Sequence, residues 1–331
     1  MRALAWGLRR LVLVPFCVMP LLFATFSHAQ QAYPARPVNI LVSFAPGGVM
    51  DISTRAIAAR AEKFLGQTFV ISNNGGGGGA VAAAVVSTQK PDGYNLLACT
   101  STTLIRIPQY RTVPYSLNDF VPIVQHASTE SGLAVKADSP FKTLKDLVEY
   151  ARKNPRKVTY STLGIGSPMH LSMEYIAKQD GIVWTHVPYP GSMPAVTALL
   201  GGHVMATSSS TEWKPFVQEG KLRLLATHGE KRMQSFPNVP TLRELGYDFY
   251  NDTTFLVVGP KGTPLEIVKK LEDAFHKAFN DPEYAVILAK IDHVPAFRNS
   301  EDTRKFLQSA YELNGKWIAE LKIPKETEQK K

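Results

Sequence analysis

Two kinds of chemistry are open to this chain, one carried by side chains and one by the backbone. Ser167 and His170, three residues apart, place a hydroxyl and an imidazole where they could share one side of a helix start, the parts of a nucleophile and its base. No Gly-x-Ser-x-Gly elbow accompanies them, and a capped helix with a hydrogen-bonded histidine explains the spacing more simply. His126, His170, His186, His203, His228, His276 and His293 are far apart, with no paired ligand spacing, so no metal is expected. Cys99 lies in an apolar run and reads as a small buried hydrophobe, with no partner for an internal disulfide once Cys17 leaves with the N-terminal leader. The backbone offers more. Phe44-Ala-Pro-Gly-Gly48 follows an apolar strand and leads, through Asp51 and Arg55, into an alanine-rich helix. A Gly-rich turn opening a helix gathers unsatisfied N–H groups at one point and suits an anion, although an ordinary strand-to-helix connection has the same composition. Asp51 either caps that helix or receives an amino or hydroxyl group of a ligand.

The elements that would position this turn follow a regular plan. Val38–Val42 reads as a strand, Ile52–Leu65 as a helix stopped by Gly66, Thr68–Ser72 as a strand, Gly75–Gly79 as a glycine loop, Ala80–Thr88 as a helix and Tyr94–Cys99 as a strand. From Thr143 the plan repeats, with helices over Thr143–Asn154, Met169–Lys178 and Met193–Leu200 alternating with strands, the last at Leu222–Thr227. Repeated strand-helix units predict an α/β fold, each half a mostly parallel sheet flanked by helices. Ligands of such sheets bind beyond the carboxyl ends of the strands, where the loops meet. The glycine loop lacks the Lys-Ser/Thr ending of a phosphate-binding P-loop and sits inside a repeat, so a ligand cradle fits it better than a linker does. After the strand Thr254–Val258 the chain reads as three helices, Leu265–Asn280, Pro282–Ile291 and Glu301–Leu321, packed on the outside of the first half.

The composition is globular, and 331 residues allow one large or two ordinary domains. Arg2, Arg9 and Arg10 precede the apolar run Leu11–Phe26, and Ser27-His28-Ala29 supplies the small residues a signal peptidase reads, so residues 1–29 are expected to be a signal peptide cut after Ala29. The apolar run is short for a span and holds Pro15 and Pro20. Removing the leader takes three Arg and no acidic residue, lowering the formal net charge of +9 to +6. A modest positive excess draws acidic small molecules. The basic residues are scattered and carry no nucleic-acid motif, so nucleic acid is not an expected partner.

Ten stretches, in order, carry a resemblance. They are Tyr33-Pro-Ala-Arg-Pro-Val38, Phe44–Gly48 with Asp51 and Arg55, Leu65-Gly-Gln67, Pro91-Asp-Gly-Tyr94, Asp119-Phe120, Gly166-Ser167 with His170, His186-Val-Pro-Tyr189 with Gly191, Gly201-Gly202, Gly220-Lys-Leu-Arg223, and Pro237-Asn-Val-Pro-Thr241. Together they resemble the Bug-type extracytoplasmic solute receptors of tripartite tricarboxylate transporters. That resemblance implies a two-lobed periplasmic binding protein fold (type II, Venus flytrap), with residues 30–130 and 252–331 in one lobe and 131–251 in the other. It implies a monomeric, cofactor-free periplasmic receptor that closes on a small carboxylate and delivers it to the membrane permease subunits. The expected ligand-binding residues are Phe44, Pro46, Gly47, Gly48, Asp51, Gly76, Gly77, Ser101 and Thr102 from one lobe, and Thr162, Gly166, Ser167, His170, Tyr189, Gly191 and Ser209 from the other.

The chain departs from the family pattern at Asn73–Gly79, where Asn-Arg-Pro-Gly-Ala-Gly-Gly is usual, at Pro190, where a lysine is usual, and at Met205, where an acid is usual. The changes favour a solute read by hydroxyls and amides over one gripped by charge. Two other functions remain open to the sequence: a loaded receptor that signals to a sensor kinase, and a periplasmic hydrolase built on Ser167 and His170.

Overall fold

The computed structural model describes residues 33–189, 191–250 and 253–321. The leader, Pro190, the boundary residues 251 and 252 and the tail Lys325–Lys331 lie outside them. The first strand-helix units are β1 (Val38–Val42), α1 (Val49–Leu65), β2 (Phe69–Asn73), α2 (Ala80–Ser87) and β3 (Asn95–Thr100), after which short helices α3 (Ser101–Ile105) and α4 (Ile107–Tyr110) lead to β4 (Phe120–Thr129). The chain then builds a second sheet from β5 (Gly132–Lys136), α5 (Leu144–Lys153), β6 (Thr159–Thr162), α6 (Pro168–Asp180), β7 (Thr185–Pro188), α7 (Ser192–Leu200), β8 (Ala206–Ser209), α8 (Lys214–Gln218) and β9 (Leu222–Thr227). It returns to the first through β10 (Thr253–Pro260), α9 (Leu265–Phe279), α10 (Pro282–Lys290), β11 (His293–Arg298) and α11 (Ser300–Glu320).

The strand orders are β11-β4-β10-β3-β1-β2 and β7-β6-β8-β5-β9. The two halves are the α/β layers that the repeated units predict, but each sheet is mixed where a mostly parallel one was expected. Pairs β1–β2, β1–β3, β6–β7 and β6–β8 are parallel, whereas β10 runs against β3 and β4, β11 against β4, and β5 against β8 and β9. Parallel neighbours need a helical crossover, which the strand-helix repeats supply. Strands β4, β5 and β10 instead carry the chain directly between sheets, and they join antiparallel.

Both faces of each sheet are covered. In the first, Leu96 and Val257 pack with Ile57 of α1 and Phe275 of α9, while their neighbours Leu97 and Val258 pack on the opposite face with Ala83 of α2 and Leu307 of α11. That alternation is the period-two rule of a strand buried on both sides. In the second, Leu133 and Val135 meet Leu147 of α5 and Leu171 of α6, and Ala134 meets Leu199 of α7 and Trp213.

Two features past Leu265 differ from the all-helical reading. β11 is an edge strand with an irregular register against β4, and Pro295 within it hides the strand signal. α11 does not stay on the first half: Leu307 and Ala310 enter its core, whereas Trp317 and Ile318 enter the core of the second, Trp317 stacking on Phe249 at 4.2 Å. At 21 residues α11 has the reach for both cores. Between β9 and β10, residues 242–245 form a turn.

Candidate functional site

A cleft of about 810 Å³ lies between the two sheets, at the carboxyl ends of β1, β3, β6 and β8. From the first half it is lined by Phe44, Gly48, Val49 and Met50 at the start of α1, by Gly78, and by Thr100 and Thr102 at the β3–α3 junction. The second half contributes Leu163, Pro168 and Met169 around the start of α6, and Ser210, Thr211 and Glu212 after β8. Thr129, Thr253 and Phe255 of the strands that join the halves, with Ile291, Asp292 and His293, complete it.

The turn before α1 explains the role of its acid. Asp51 is 4% exposed and accepts hydrogen bonds from the Gly47 amide (2.9 Å), Arg55 Nε (2.9 Å) and Asn73 Nδ2 (2.9 Å). Burial pushes its pKa up, but the bonds from Arg55, Gly47 and Asn73 outweigh burial and hold it below the ordinary carboxylate value. Asp51 is not among the cleft-lining residues; it ties the turn to α1 and β2, and it occupies the Gly47 N–H that the sequence reading offers to an anion. Gly47 has φ +76, which the turn requires, and Gly48 is the N-cap of α1. Past Gly48, the Val49 and Met50 amides stand in the first helical turn, where N–H groups have no intrahelical acceptor.

The other expected residues divide in the same way. Phe44, Gly48 and Thr102 line the cleft; Pro46 and Gly47 are exposed in the turn beside it. In the glycine loop it is Gly78, not Gly76 or Gly77, that reaches the cleft, while its carbonyl accepts from Thr103 Oγ1 at 2.8 Å. Ser101 is buried and accepts from the Thr254 amide at 3.1 Å. Thr162 bonds His186 Nε2 at 2.8 Å and caps the Gly164 amide at 3.1 Å. Gly166, at φ +74, lies against the Tyr110 ring, so the two halves touch there. Tyr189 and Gly191 are half-buried and outside the lining, and Ser209 is fully buried behind it.

Ser167 and His170 are not arranged as a nucleophile and base. Ser167 Oγ accepts from the His170 backbone amide (3.2 Å) as the cap of α6, and His170 Nδ1 accepts from the Gly166 amide (3.2 Å). The imidazole stacks on His186 at 4.1 Å, and burial, with a smaller effect of His186, drives its pKa down to about 3. The ring is a neutral structural group behind the cleft wall.

Two groups of cleft residues are absent from the expected ligand set. Val49, Met50, Leu163 and Met169 directly adjoin the turns it singles out, and adjacency was the available signal. Glu212, Asp292 and His293 come from a turn after β8 and from the turn into β11, and no local pattern marks them.

A cleft between two α/β layers, walled by helix starts and hydroxyls from both, is a geometry for holding a small polar molecule. A family model described as the tripartite tricarboxylate transporter family receptor matches residues 53–323. The chain belongs to this receptor family. Members of the family are solute-binding receptors, and the same family is the one the ten sequence stretches resemble. The chain is 40% identical over 294 residues to the Cupriavidus necator protein of the gbd 5′ region, spanning 88% of this chain and 90% of that one. Among solved structures, it is similar to a TctC solute-binding protein from Polaromonas at 29% identity and a TM-score of 0.81, over 87% of this chain and 99% of that one. It is also similar to an R. palustris protein solved with adipate, at 32% identity and a TM-score of 0.70, over 88% and 99% of the two chains. This receptor therefore shares the two-lobed periplasmic binding protein fold, with mixed sheets in both lobes.

Proposed function

We propose that this receptor captures a small carboxylate in the periplasm, between its two lobes, and delivers it to the membrane subunits of a tripartite tricarboxylate transporter. The observation that carries this reading is the start of α1, where Gly48, Val49 and Met50 line the cleft and the first-turn amides lack intrahelical acceptors. Aligned peptide dipoles add partial positive charge there, so a carboxylate is held without a basic side chain. Thr100 and Thr102 add hydroxyls beside it, and the start of α6, with Met169, faces the same space from the other lobe. The adipate bound by the R. palustris relative supports the same ligand class. Closing the lobes removes water and strengthens each of these weak donors.

A thermal-shift and calorimetric screen of mono-, di- and tricarboxylates, with and without amino groups, tests the reading. A ligand bound only by the folded protein raises Tm, by about 2.7 kcal/mol of stability at a hundredfold excess over Kd. A screen in which no carboxylate shifts Tm or releases heat would reject it. Delivery is tested separately, by uptake of the identified solute in cells that lack the receptor.

A further inference from the structure

The two helix starts that face the cleft are not equivalent. α1 opens on Gly48, which has no side chain to cap it, and the first intrahelical bond is that of the Ile52 amide to the Gly48 carbonyl at 2.9 Å, so the Val49 and Met50 amides are left for an anion. Thr102, on the same lobe, adds a donor. Its Oγ1 accepts from Arg106 Nη1 at 2.9 Å, so its own proton remains to be given. Arg106 is 2% exposed and also donates to Asn314 at 2.8 Å, which sets a buried guanidinium behind the Thr102 hydroxyl and favours negative charge in front of it. Thr100 differs, because Thr103 Oγ1 donates to the Gly78 carbonyl at 2.8 Å; Thr100 is then the donor in the 3.2 Å contact of the two hydroxyls, and its proton is spent. The start of α6 is also largely closed. Its first residue, Pro168, has no N–H, and Ser167 Oγ takes the His170 amide at 3.2 Å, which leaves only the Met169 amide of that turn.

Much of the remaining lining is apolar: Phe44, Leu163, Pro168, Met169, Phe255 and Ile291 come from both lobes and the strands that join them. Phe44, Leu163 and Ile291 are half-buried, so they keep apolar surface that a solute can cover. Removing that surface from water favours an apolar body in proportion to the area covered. The charged side chains of the lining are the acids Glu212 and Asp292, and among the described residues that line the cleft none is Arg or Lys. A second carboxylate on the solute would lose its hydration against this wall and meet no cation in return.

We propose that the solute of this receptor is a monocarboxylate with an apolar aryl or alkyl body, its single carboxylate held by the start of α1 and Thr102 and its body covering Phe44, Leu163 and Ile291. The inference rests on the receptor reading above and narrows its ligand class. Asp51, which the sequence left open to an amino or hydroxyl group of the ligand, is consumed by its own turn, in keeping with a plain acid.

The test is calorimetric titration of the folded receptor with matched pairs that differ by one carboxylate: hexanoate against adipate, benzoate against terephthalate, and 3-phenylpropanoate against 3-(4-carboxyphenyl)propanoate. In at least one pair the monocarboxylate binds about tenfold tighter or more, the scale of a carboxylate desolvated without a partner. Affinity rises from butanoate to hexanoate by up to about fourfold per methylene buried. Leu163→Lys sets a cation in the apolar wall and shifts the preferred pair by about tenfold toward the dicarboxylate. An unchanged urea midpoint establishes that the variant folds, and the wild-type ratios decide the matter if it does not. Dicarboxylates that bind with no such disadvantage in any pair, or a folded Leu163→Lys that changes both members equally, overturn the apolar monocarboxylate and leave the carboxylate receptor standing. Absence of binding by every compound in both series overturns both.

Discussion

Replacing Asp51 by Ala separates a carboxylate that organises the cleft from one that touches the solute. The change removes the acceptor of the Gly47 and Asn73 donors, each at 2.9 Å, and of Arg55 Nε. Hydrogen bonds to a charged group contribute about 1.5–3 kcal/mol each. Arg55 is 48% exposed, and a screened surface pair adds only about 0.5 kcal/mol. Water reaches the exposed Gly47 turn and offsets part of the loss, leaving a destabilisation of roughly 3 kcal/mol, or about 6 °C in Tm at about 2 °C per kcal/mol for a chain of this size. Asp51→Asn keeps one acceptor oxygen and loses about half as much. The sign with pH follows from the depressed carboxyl: the unfolded chain takes the proton first, so the contribution is present above the ordinary carboxylate pKa and is lost as pH falls through the lower folded value. Urea unfolding of wild type and Asp51→Ala at pH 7 and pH 3 reads both effects, the gap narrowing in acid. A variant that unfolds at the wild-type midpoint but no longer binds solute would refute the reasoning and return Asp51 to the ligand.

Further outcomes follow from the same geometry. Val49→Asp places a carboxylate in the first turn of α1, where the helix tolerates it but an anionic solute does not, and should weaken carboxylate binding by more than about tenfold with Tm unchanged; calorimetry and a melt check it. Gly79→Ala puts a Cβ at φ +95, 2.6 Å from Thr103 Oγ1 and 3.1 Å from Ser43 Oγ, and should cost about 2 kcal/mol in urea unfolding. Trp317→Ala empties the contact of α11 with the second core, a loss of about 3–5 kcal/mol that a urea midpoint reads. His126, His170 and His228 are buried and neutral, with pKa values driven by burial down to about 3. Because the unfolded chain protonates first, stability should be full above about pH 6.5 and fall toward pH 4, each histidine adding a slope of up to about 1.4 kcal/mol per pH unit. Midpoints equal at pH 7 and pH 5 would contradict that account.

Local pattern carried much of this protein. The Pro-Gly-Gly turn, the alternation of apolar strands with alanine-rich and amphipathic helices, and the Thr143 cap of α5, which the structure completes as a capping box with Asp146, each depend on interactions within a few residues. Those same turns place Phe44, Gly48 and Thr102 at the cleft, because helix starts at the ends of parallel strands meet wherever the chain repeats the unit. Tertiary structure decided what the turns do with their polar groups. Asp51 finds Asn73 across the neighbouring strand, Ser101 finds the amide of Thr254, and His170 finds His186, all partners distant in sequence. It also decided the mixed sheets, since the direction of β10 depends on where the chain re-enters the first lobe, and the sharing of α11 between two cores. The wall of Glu212, Asp292 and His293 belongs to the same class. Its residues come from separate turns, and only the packing of the two lobes brings them to one cleft.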